Sequence, residues 1–223
     1  SDPEFAGKNI KALFEDSKGN LWVGTEKKGI NFRQSDKDQF INIIFEEFEG
    51  YEISSFTEDN TGNIWVTSND RGVLKFNPET KETQLFTKEN SGLSSNAAFD
   101  VVEDIDGTIY VATAGGGLNA LQKDERFVLK TYQTPEQWNM DGYRKKMYRD
   151  NENIWVAVEG SGVYKINTKT NKHTRFSTSK DGFFIRSNIA RDVVRSQDGL
   201  VYFATDGAGL HVFDEDKKKI FNY

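Results

Sequence analysis

The chain is built from one short pattern that returns five times. Apolar triplets with a central aromatic residue occur at Leu21–Val23, Ile64–Val66, Ile109–Val111, Ile154–Val156 and Val201–Phe203, so that successive aromatics are 43, 45, 45 and 47 residues apart. A glycine stands seven positions after each aromatic, followed by an aliphatic residue, at Gly29–Ile30, Gly72–Val73, Gly117–Leu118, Gly162–Val163 and Gly209–Leu210. A period of about 45 residues is typical of an array of supersecondary units.

Each repeat has the pattern of four β-strands. In the second repeat we predict strands at 53–58, 63–68, 72–77 and 83–86. The second strand is apolar on consecutive residues, which is typical of a strand buried on both faces. A sheet packed between two neighbouring sheets produces this pattern. We therefore predict an all-β protein, a β-propeller of five four-stranded blades, either as a closed five-bladed ring or as five blades of a larger ring.

The first residues are not expected to belong to this fold. The chain begins with SDPEF and without methionine, a pattern typical of translated restriction sites in an expression vector. We therefore assign residues 1–6 to the vector. The propeller is predicted over 7–223, with blades at roughly 7–49, 50–93, 94–137, 138–186 and 187–223.

Composition excludes several classes of function. The chain has 29 Lys and Arg against 35 Asp and Glu, a net charge of −6, and a protein of that sign does not hold a nucleic-acid backbone non-specifically. Cys is absent, and the two His, His173 and His211, are isolated. No apolar run reaches the ~18 residues of a membrane span. We expect no metal, no cofactor, no nucleic acid and no membrane contact by this fragment.

The repeated residues have structural interpretations. The central aromatics recur once per repeat, so we expect them to pack between sheets rather than to bind sugar. The Asp residues that open the turns are expected to accept hydrogen bonds from their own loops. In the fourth repeat the turn at 150–153 lacks Gly, so an Asn is expected in the left-handed conformation. The stretch at 104–107 only weakly resembles a calcium loop. No catalytic residue is predicted.

Three segments resemble a known family, the two-component regulator propeller repeat. They are Glu58–Val66 (EDNTGNIWV), Glu15–Thr25 (EDSKGNLWVGT) and the joint at Asn90–Asn96 (NSGLSSN). In that family such repeats form the periplasmic sensor region of hybrid two-component systems of Bacteroides-type bacteria. The resemblance therefore implies a periplasmic sensor fragment whose parent is anchored in the inner membrane, whose signal is a glycan-derived oligosaccharide, and whose partners include further blades and sensor domains of that parent.

Topology suggests where a ligand would bind. If the strands run up and down, the turns between the second and third strands share one face with the joints between blades. The longest insertion, 133–146, lies among these joints. Amide, guanidinium and aromatic groups there suit a sugar. The candidate ligand-binding residues are Asn69, Arg71, Asn96, Trp138, Tyr143, Arg144, Arg186 and Asn188.

Three classes of function stay open. The first is the non-catalytic sensor, and the second is a propeller enzyme of lyase or glycosidase type. The Gly-Asn-Ile-Trp-Val segment also resembles, faintly, lyase propellers that cleave cyclic peptide antibiotics, but it brings no histidine to the channel mouth. The third class is a scaffold that binds only proteins.

The two ends of the array set a further expectation. An open array would expose apolar residues such as Ile10, Leu13, Val201 and Phe203, and apolar patches of that kind are rarely left in water. We expect either closure of the fifth blade onto the first, which is slightly favoured, or association into a homodimer. In a closed ring a weak oligosaccharide site is expected near Arg71, Asn96 and Arg186. An open fragment is expected to leave that site incomplete.

Overall fold

The structure, a computed structural model, describes residues 5–115, 117–130, 145–179 and 182–223. These residues form five antiparallel sheets in chain order. The first contains β1 (Ile10–Glu15), β2 (Leu21–Thr25), β3 (Ile30–Arg33) and β4 (Ile41–Ile43). The second contains β5 (Ile53–Glu58), β6 (Ile64–Ser68), β7 (Gly72–Phe76) and β8 (Thr83–Phe86), which confirms the predicted strands to within a residue.

The remaining sheets follow the same up-and-down order. The third has β9 (Ala98–Glu103), β10 (Ile109–Thr113), β11 (Gly117–Leu121) and β12 (Phe127–Lys130). The fourth has β13 (Lys145–Asp150), β14 (Asn153–Val158), β15 (Gly162–Asn167), β16 (His173–Ser177) and the short parallel β17 (Phe183–Phe184). The fifth has β18 (Ala190–Arg195), β19 (Val201–Thr205), β20 (Gly209–Asp214) and β21 (Lys219–Asn222). The described helices are a 3-10 turn, Glu46–Phe48, and α1, Lys88–Ser91.

The core lies between consecutive sheets. In the described residues it consists of four apolar clusters, one between each pair of sheets from the first to the fifth. The central aromatics Trp22, Trp65, Tyr110 and Trp155 are buried in these clusters, which confirms for these four that they pack between sheets. The fifth, Tyr202, is half-buried and belongs to none of the clusters, so the prediction is wrong for it. The second strand of the second sheet, β6, is buried along its whole length. Each inner sheet is therefore stabilised by the sheets on both sides of it.

The turn aspartates fix the aromatic rings as well as their own loops. Asp59 Oδ1 accepts from the N–H groups of Thr61 and Asn63 at 3.0 Å each, as predicted, and its Oδ2 accepts from the Trp65 indole at 2.8 Å. The same indole-to-Asp bond joins Trp22 to Asp16 and Trp155 to Asp150. Burial raises the pKa of the Asp59 carboxyl, but the hydrogen bonds outweigh it, and the net pKa lies below its ordinary value.

Two turn positions require a left-handed backbone. Gly72 has φ +89°, and a Cβ there would lie 2.3 Å from the Phe86 carbonyl oxygen, so a side chain has no room. In the fourth sheet, Asn151 has φ 53°, which confirms that an Asn replaces the missing turn glycine. Asn tolerates this region better than most non-glycine residues.

The ring is not closed, so the slightly favoured closure of the fifth blade onto the first is wrong. Among the described residues no apolar cluster joins the first sheet to the fifth. Leu13 and Ile10 are exposed, as expected for an open end. Val201 and Phe203, however, are buried, because side chains alternate along a strand and these two face the fourth sheet. The residue between them, Tyr202, faces outward instead.

Candidate functional site: the mouth of the central channel

The predicted loop face exists. In four sheets the N–H that follows the second strand donates to a carbonyl in the joint seventeen residues earlier, in the pairs Glu26 to Asn9, Asn69 to Glu52, Ala114 to Ala97 and Asp206 to Ile189. The turns and the joints therefore meet at one edge of each sheet. This edge is also where the first strands, which line the channel, begin.

The joints are fastened to the third strands by one repeated contact. Asn119 Oδ1 accepts from the Ser94 N–H at 3.0 Å, and His211 Nε2 accepts from the Arg186 N–H at 3.0 Å. In the first sheet, Asn31 accepts from the Ala6 N–H at 2.7 Å. Burial, with a contribution from Arg186, lowers the pKa of His211. A neutral imidazole is the form that can accept this hydrogen bond.

The amides of Asn96 and Asn188 are occupied by their own loops. Asn96 accepts from the Lys88 N–H at 2.7 Å and donates to Glu89 at 2.9 Å. Asn188 accepts from the Thr178 N–H at 2.8 Å and donates to the Thr178 hydroxyl at 3.0 Å. Both residues stand fourteen positions before a central aromatic. Their described contacts shape the joints, and a role in ligand binding stays a prediction.

The predicted arginines lie at the rim. Arg71 donates to the Glu47 carbonyl at 3.0 Å, and its guanidinium carbon lies 5.5 Å from the centre of the Tyr51 ring. Arg186 is exposed beside His211. Trp138, Tyr143 and Arg144 lie outside the described residues.

Of the predicted residues, Asn69 reaches the channel. It lines a cavity of about 170 Å³ at the channel mouth and donates to Glu52 at 2.5 Å. Its Oδ1 is buried and accepts no hydrogen bond from any residue that the structure describes. A buried acceptor without a donor is costly, so this oxygen is available to a hydroxyl or amine group of a ligand.

The cavity is lined by one equivalent residue from every sheet. Four first strands carry a β-bulge at the same place opposite the second strand. The bulged residues are Lys11, Ser54, Phe99 and Arg191, each four residues before the one that pairs with the first residue of the triplet. In the unbulged fourth sheet the residue at the same distance from Arg149, which pairs with Ile154, is Lys145. All five line the cavity. A bulge re-aims its side chain, and here the bulges direct four side chains towards the channel that Lys145 also lines. We call these five residues the bulge ring.

Three members of the bulge ring are cationic. Arg191 bridges Glu159 at 2.9 Å and Asp206 at 2.7 Å, which joins the turns of the fourth and fifth sheets. Lys11 lies 3.5 Å from Glu52. Lys145 is buried, donates to the Thr113 carbonyl at 2.6 Å and lies 5.7 Å from the centre of the Phe99 ring. The cavity thus combines ammonium and guanidinium groups with one aromatic face.

A buried carboxylate, that of Asp100, follows Phe99 of the bulge ring and contacts the fourth sheet. Asp100 Oδ2 accepts from the Met147 N–H at 2.7 Å, and Lys146 lies 4.0 Å from Oδ1. Burial raises the pKa of the Asp100 carboxyl, opposed by Lys146, by the Ser55 hydroxyl and by the N–H groups of Met147 and Val101. These contacts link the third sheet to the fourth at the channel wall. The described residues contain no group of three or more His, Cys, Asp or Glu placed to hold a metal ion.

Sequence reasoning missed the bulge ring. Relative to the central aromatic, the ring residues do not keep one spacing: they stand eleven positions before it in four repeats but ten in the fourth. The residues that pair with the first residue of each triplet are Glu15, Glu58, Glu103, Arg149 and Arg195, which we call the end-of-strand column. The five ring residues each stand four positions before this column.

Residues 4–27 match the family model of the two component regulator propeller. This stretch carries the two component regulator propeller repeat. The family match covers the turn and the second strand of the first sheet, and the other four sheets share its four-stranded pattern. No curated protein matches the sequence significantly.

Solved structures share the propeller fold. The extracellular domain of the hybrid two component system BT3049 from B. thetaiotaomicron overlays with a TM-score of 0.81 at 22% identity, over 96% of this chain and 28% of that one. That of the one component system BT4673 from the same species overlays with 0.71 at 16% identity, over 98% and 31%. Virginiamycin B lyase from Staphylococcus aureus overlays with 0.72 at 14% identity, over 96% and 69%. The chain thus spans under a third of either regulator domain, and at these identities the likeness is one of fold.

The described residues form two short helices. None of their helices has the length and apolar character needed to cross a bilayer.

Proposed function

We propose that this chain is part of the non-catalytic propeller of a periplasmic sensor in a hybrid two-component system, whose parent is anchored in the inner membrane. The proposal is supported by the two component regulator propeller repeat and by the overlay on the BT3049 extracellular domain. Further blades and sensor domains of the parent complete this architecture. The ligand is a glycan-derived oligosaccharide.

The observation that carries the proposal is the convergence of the bulge ring on one cavity. Its volume of about 170 Å³ is below the ~300–1,000 Å³ of typical small-molecule sites, so it takes one sugar residue at the end of an oligosaccharide. Lys11, Lys145 and Arg191 suit a carboxylate on that residue, Phe99 offers an apolar face, and Asn69 Oδ1 accepts from a hydroxyl. The remaining sugars extend over the rim towards Arg71 and Arg186.

Because all five first strands line the cavity, the open ring still holds it. This channel site therefore differs from the loop site that an open fragment was expected to leave incomplete. Calorimetry distinguishes the two. We expect an acidic probe, tetragalacturonate, to bind and neutral maltotetraose to bind at least about tenfold more weakly, since a charged contact contributes about 1.4 kcal/mol or more.

Matched variants locate the binding. Lys11→Ala and Arg191→Ala should each weaken tetragalacturonate binding about tenfold, whereas Lys123→Ala, an exposed lysine in the turn before β12, should leave it unchanged. If neither probe binds, or if Lys123→Ala weakens binding as much as Lys11→Ala, the channel site is wrong.

A lyase is the second candidate because of the overlay on virginiamycin B lyase. A histidine-to-alanine variant of that enzyme is described as catalytically inactive. In this chain His211 is buried and occupied by the Arg186 N–H, and His173 lies on β16. Neither lines the channel cavity. Turnover of quinupristin by the purified chain would favour the lyase, and its absence alongside sugar binding would favour the sensor.

A further inference from the structure

One carboxylate lies inside the channel cavity, among the cations of its wall. The charged residues that line the cavity are Lys11, Lys145, Lys146, Arg191 and Glu52. Glu52 is the single acidic residue in the described part of this lining, and it stands in the joint just before β5. Its carboxylate therefore faces the cations that the acid of a ligand would also face.

The other carboxylates near the cavity lie outside it. Glu159 and Asp206 hold Arg191, at 2.9 and 2.7 Å, from the turns of the fourth and fifth sheets. Asp100 is buried and lies 4.0 Å from Lys146. None of these three acidic residues lines the cavity. They hold their cations without filling the space that a ligand would take, whereas the carboxylate in the joint fills part of it.

Glu52 contacts two of the groups that bind the acidic sugar in the channel site. Its Oε2 lies 3.5 Å from Lys11 Nζ, and its Oε1 accepts from the Asn69 amide at 2.5 Å. Its carbonyl oxygen also accepts from the Asn69 N–H, at 3.4 Å. Without a ligand, Lys11 and Asn69 are thus already engaged by a carboxylate of the chain itself.

The ion pair between Glu52 and Lys11 can be exchanged at little cost. Both side chains are partly exposed, by 23% and 31%, and ion pairs that water reaches contribute little to stability. A ligand carboxylate beside Lys11 replaces one acid by another. The Asn69 amide group can then donate to the ligand, while its buried Oδ1, which accepts from no described residue, receives a hydroxyl of the same sugar.

We propose that Glu52 is a specificity-determining residue of the channel, an internal competitor that holds the place of the ligand's carboxylate until a sugar acid displaces it. This role rests on the proposed function, in which an acidic sugar binds in the cavity. The two carboxylates cannot share the contact, because like charges placed together at an interface repel. Specificity of this kind uses a repulsive element as well as an attractive one.

Simple anions are the class of ligand that Glu52 excludes. Because Glu52 belongs to the same chain as Lys11, its effective concentration beside the ammonium group is high. A free anion that offers only a carboxylate makes no contact that Glu52 lacks, so it does not displace Glu52. A sugar acid adds a hydroxyl at Asn69 Oδ1 and an apolar ring face against Phe99, and these further contacts favour the exchange.

Calorimetry of Glu52→Gln tests the proposal. Gln keeps the shape of Glu without its charge, so the variant should bind tetragalacturonate about tenfold more tightly than the wild type does. Its affinity for neutral maltotetraose should be unchanged. Sodium acetate, compared with sodium chloride at the same ionic strength, should weaken tetragalacturonate binding to the variant severalfold and leave binding to the wild type unchanged.

A matched variant controls for net charge. Glu79→Gln removes one negative charge from an exposed side chain in the turn between β7 and β8, at the opposite edge of its sheet, and should change neither measurement. Circular dichroism checks the folding of each variant, and Glu52→Ser replaces Glu52→Gln if the latter unfolds.

The outcomes separate the role of Glu52 from the function on which it rests. If the wild type binds tetragalacturonate but Glu52→Gln binds it no more tightly, gains equally for maltotetraose, or is no more sensitive to acetate, the role of Glu52 is wrong and the channel site stands. If the variant binds tetragalacturonate and the wild type does not, the role of Glu52 stands and the acidic ligand of the wild type is wrong. If neither binds it, both are wrong.

Discussion

At the scale of single residues, the central tryptophans have two roles. The sequence indicates one of them, packing between sheets, and the structure adds a hydrogen bond to the turn aspartate. Trp65 fills the space between the second and third sheets, stacking on Phe86 at 5.5 Å between ring centres. Its indole N–H also holds Asp59, which in turn holds the turn backbone. The ring thus couples the packing between sheets to the geometry of a turn within one sheet.

Trp65→Ala should lower the free energy of unfolding by about 3–5 kcal/mol, because it removes a buried aromatic from between two sheets. Trp65→Phe keeps most of the packing and removes the indole donor, so it should cost less, with about 1 kcal/mol assigned to the hydrogen bond. Denaturant melts measure both. A loss below about 1 kcal/mol for Trp65→Ala would mean that the ring contributes little to the core.

The burial of Trp65 could be predicted because a residue that recurs once per repeat in an apolar triplet has one structural explanation. The role of Asn69 could be predicted only in part. Its position at the loop face follows from strand order, but its approach to Glu52 depends on how the joint folds back. The contacts of Asn96 and Asn188 were not predictable from a single repeat, since they arise from loops of different length.

At the scale of elements, consecutive sheets are joined by the end-of-strand residue as well as by apolar packing. Glu58 reaches the turn of the first sheet, and Arg195 reaches Asp150 of the fourth sheet at 3.0 Å. The column changes from Glu to Arg along the chain, but in these contacts the residue still binds the preceding turn. Both a carboxylate and a guanidinium can make this contact, because a turn offers N–H donors to the first and an Asp carboxylate to the second.

Glu58→Ala should lower the free energy of unfolding by about 1 kcal/mol, since two hydrogen bonds to an exposed carboxylate are lost. Glu79→Ala is the matched control. Glu79 contacts Lys18 of the same turn at 3.3 Å, but both side chains are exposed, and such pairs contribute close to zero. Urea melts of the two variants should differ. Equal losses would mean that the contact of Glu58 with Ser17 is no stronger than a surface ion pair.

Strand limits and turn glycines were predictable because both depend on local sequence. The bulges were not, because a bulge is a mismatch in register between two strands and leaves no mark in either strand alone. From the sequence, Lys11 and Arg191 therefore cannot be distinguished from ordinary exposed strand residues until the pairing with the second strand is known. The open ring escaped prediction for a related reason. Closure depends on the angle between sheets, which no local pattern encodes.

At the scale of the whole molecule, the five sheets form a line of nearest-neighbour contacts. The third sheet has two covered faces, whereas the first and fifth have one each. Stability in such an array is a sum of unit and interface contributions. The end sheets are therefore expected to open before the middle of the array.

Hydrogen exchange followed by mass spectrometry should reveal this gradient. Amides of β10 should be the most protected, and those of β2 and β19 should exchange sooner. Uniform protection across all five sheets would show instead that the array unfolds as one cooperative unit.

In the proposed channel site, the bulged residues that would contact a ligand are distinct from the residues that pair the strands. A bulged residue takes no part in the regular pairing of its strand, so replacing Lys11, Ser54, Phe99 or Arg191 changes the lining of the channel without altering the pairs on either side. Four positions can thus vary while the strand pairing stays unchanged, as positions in antibody loops do. Selection acting on this fold can reach new specificities by single substitutions at one place in each repeat.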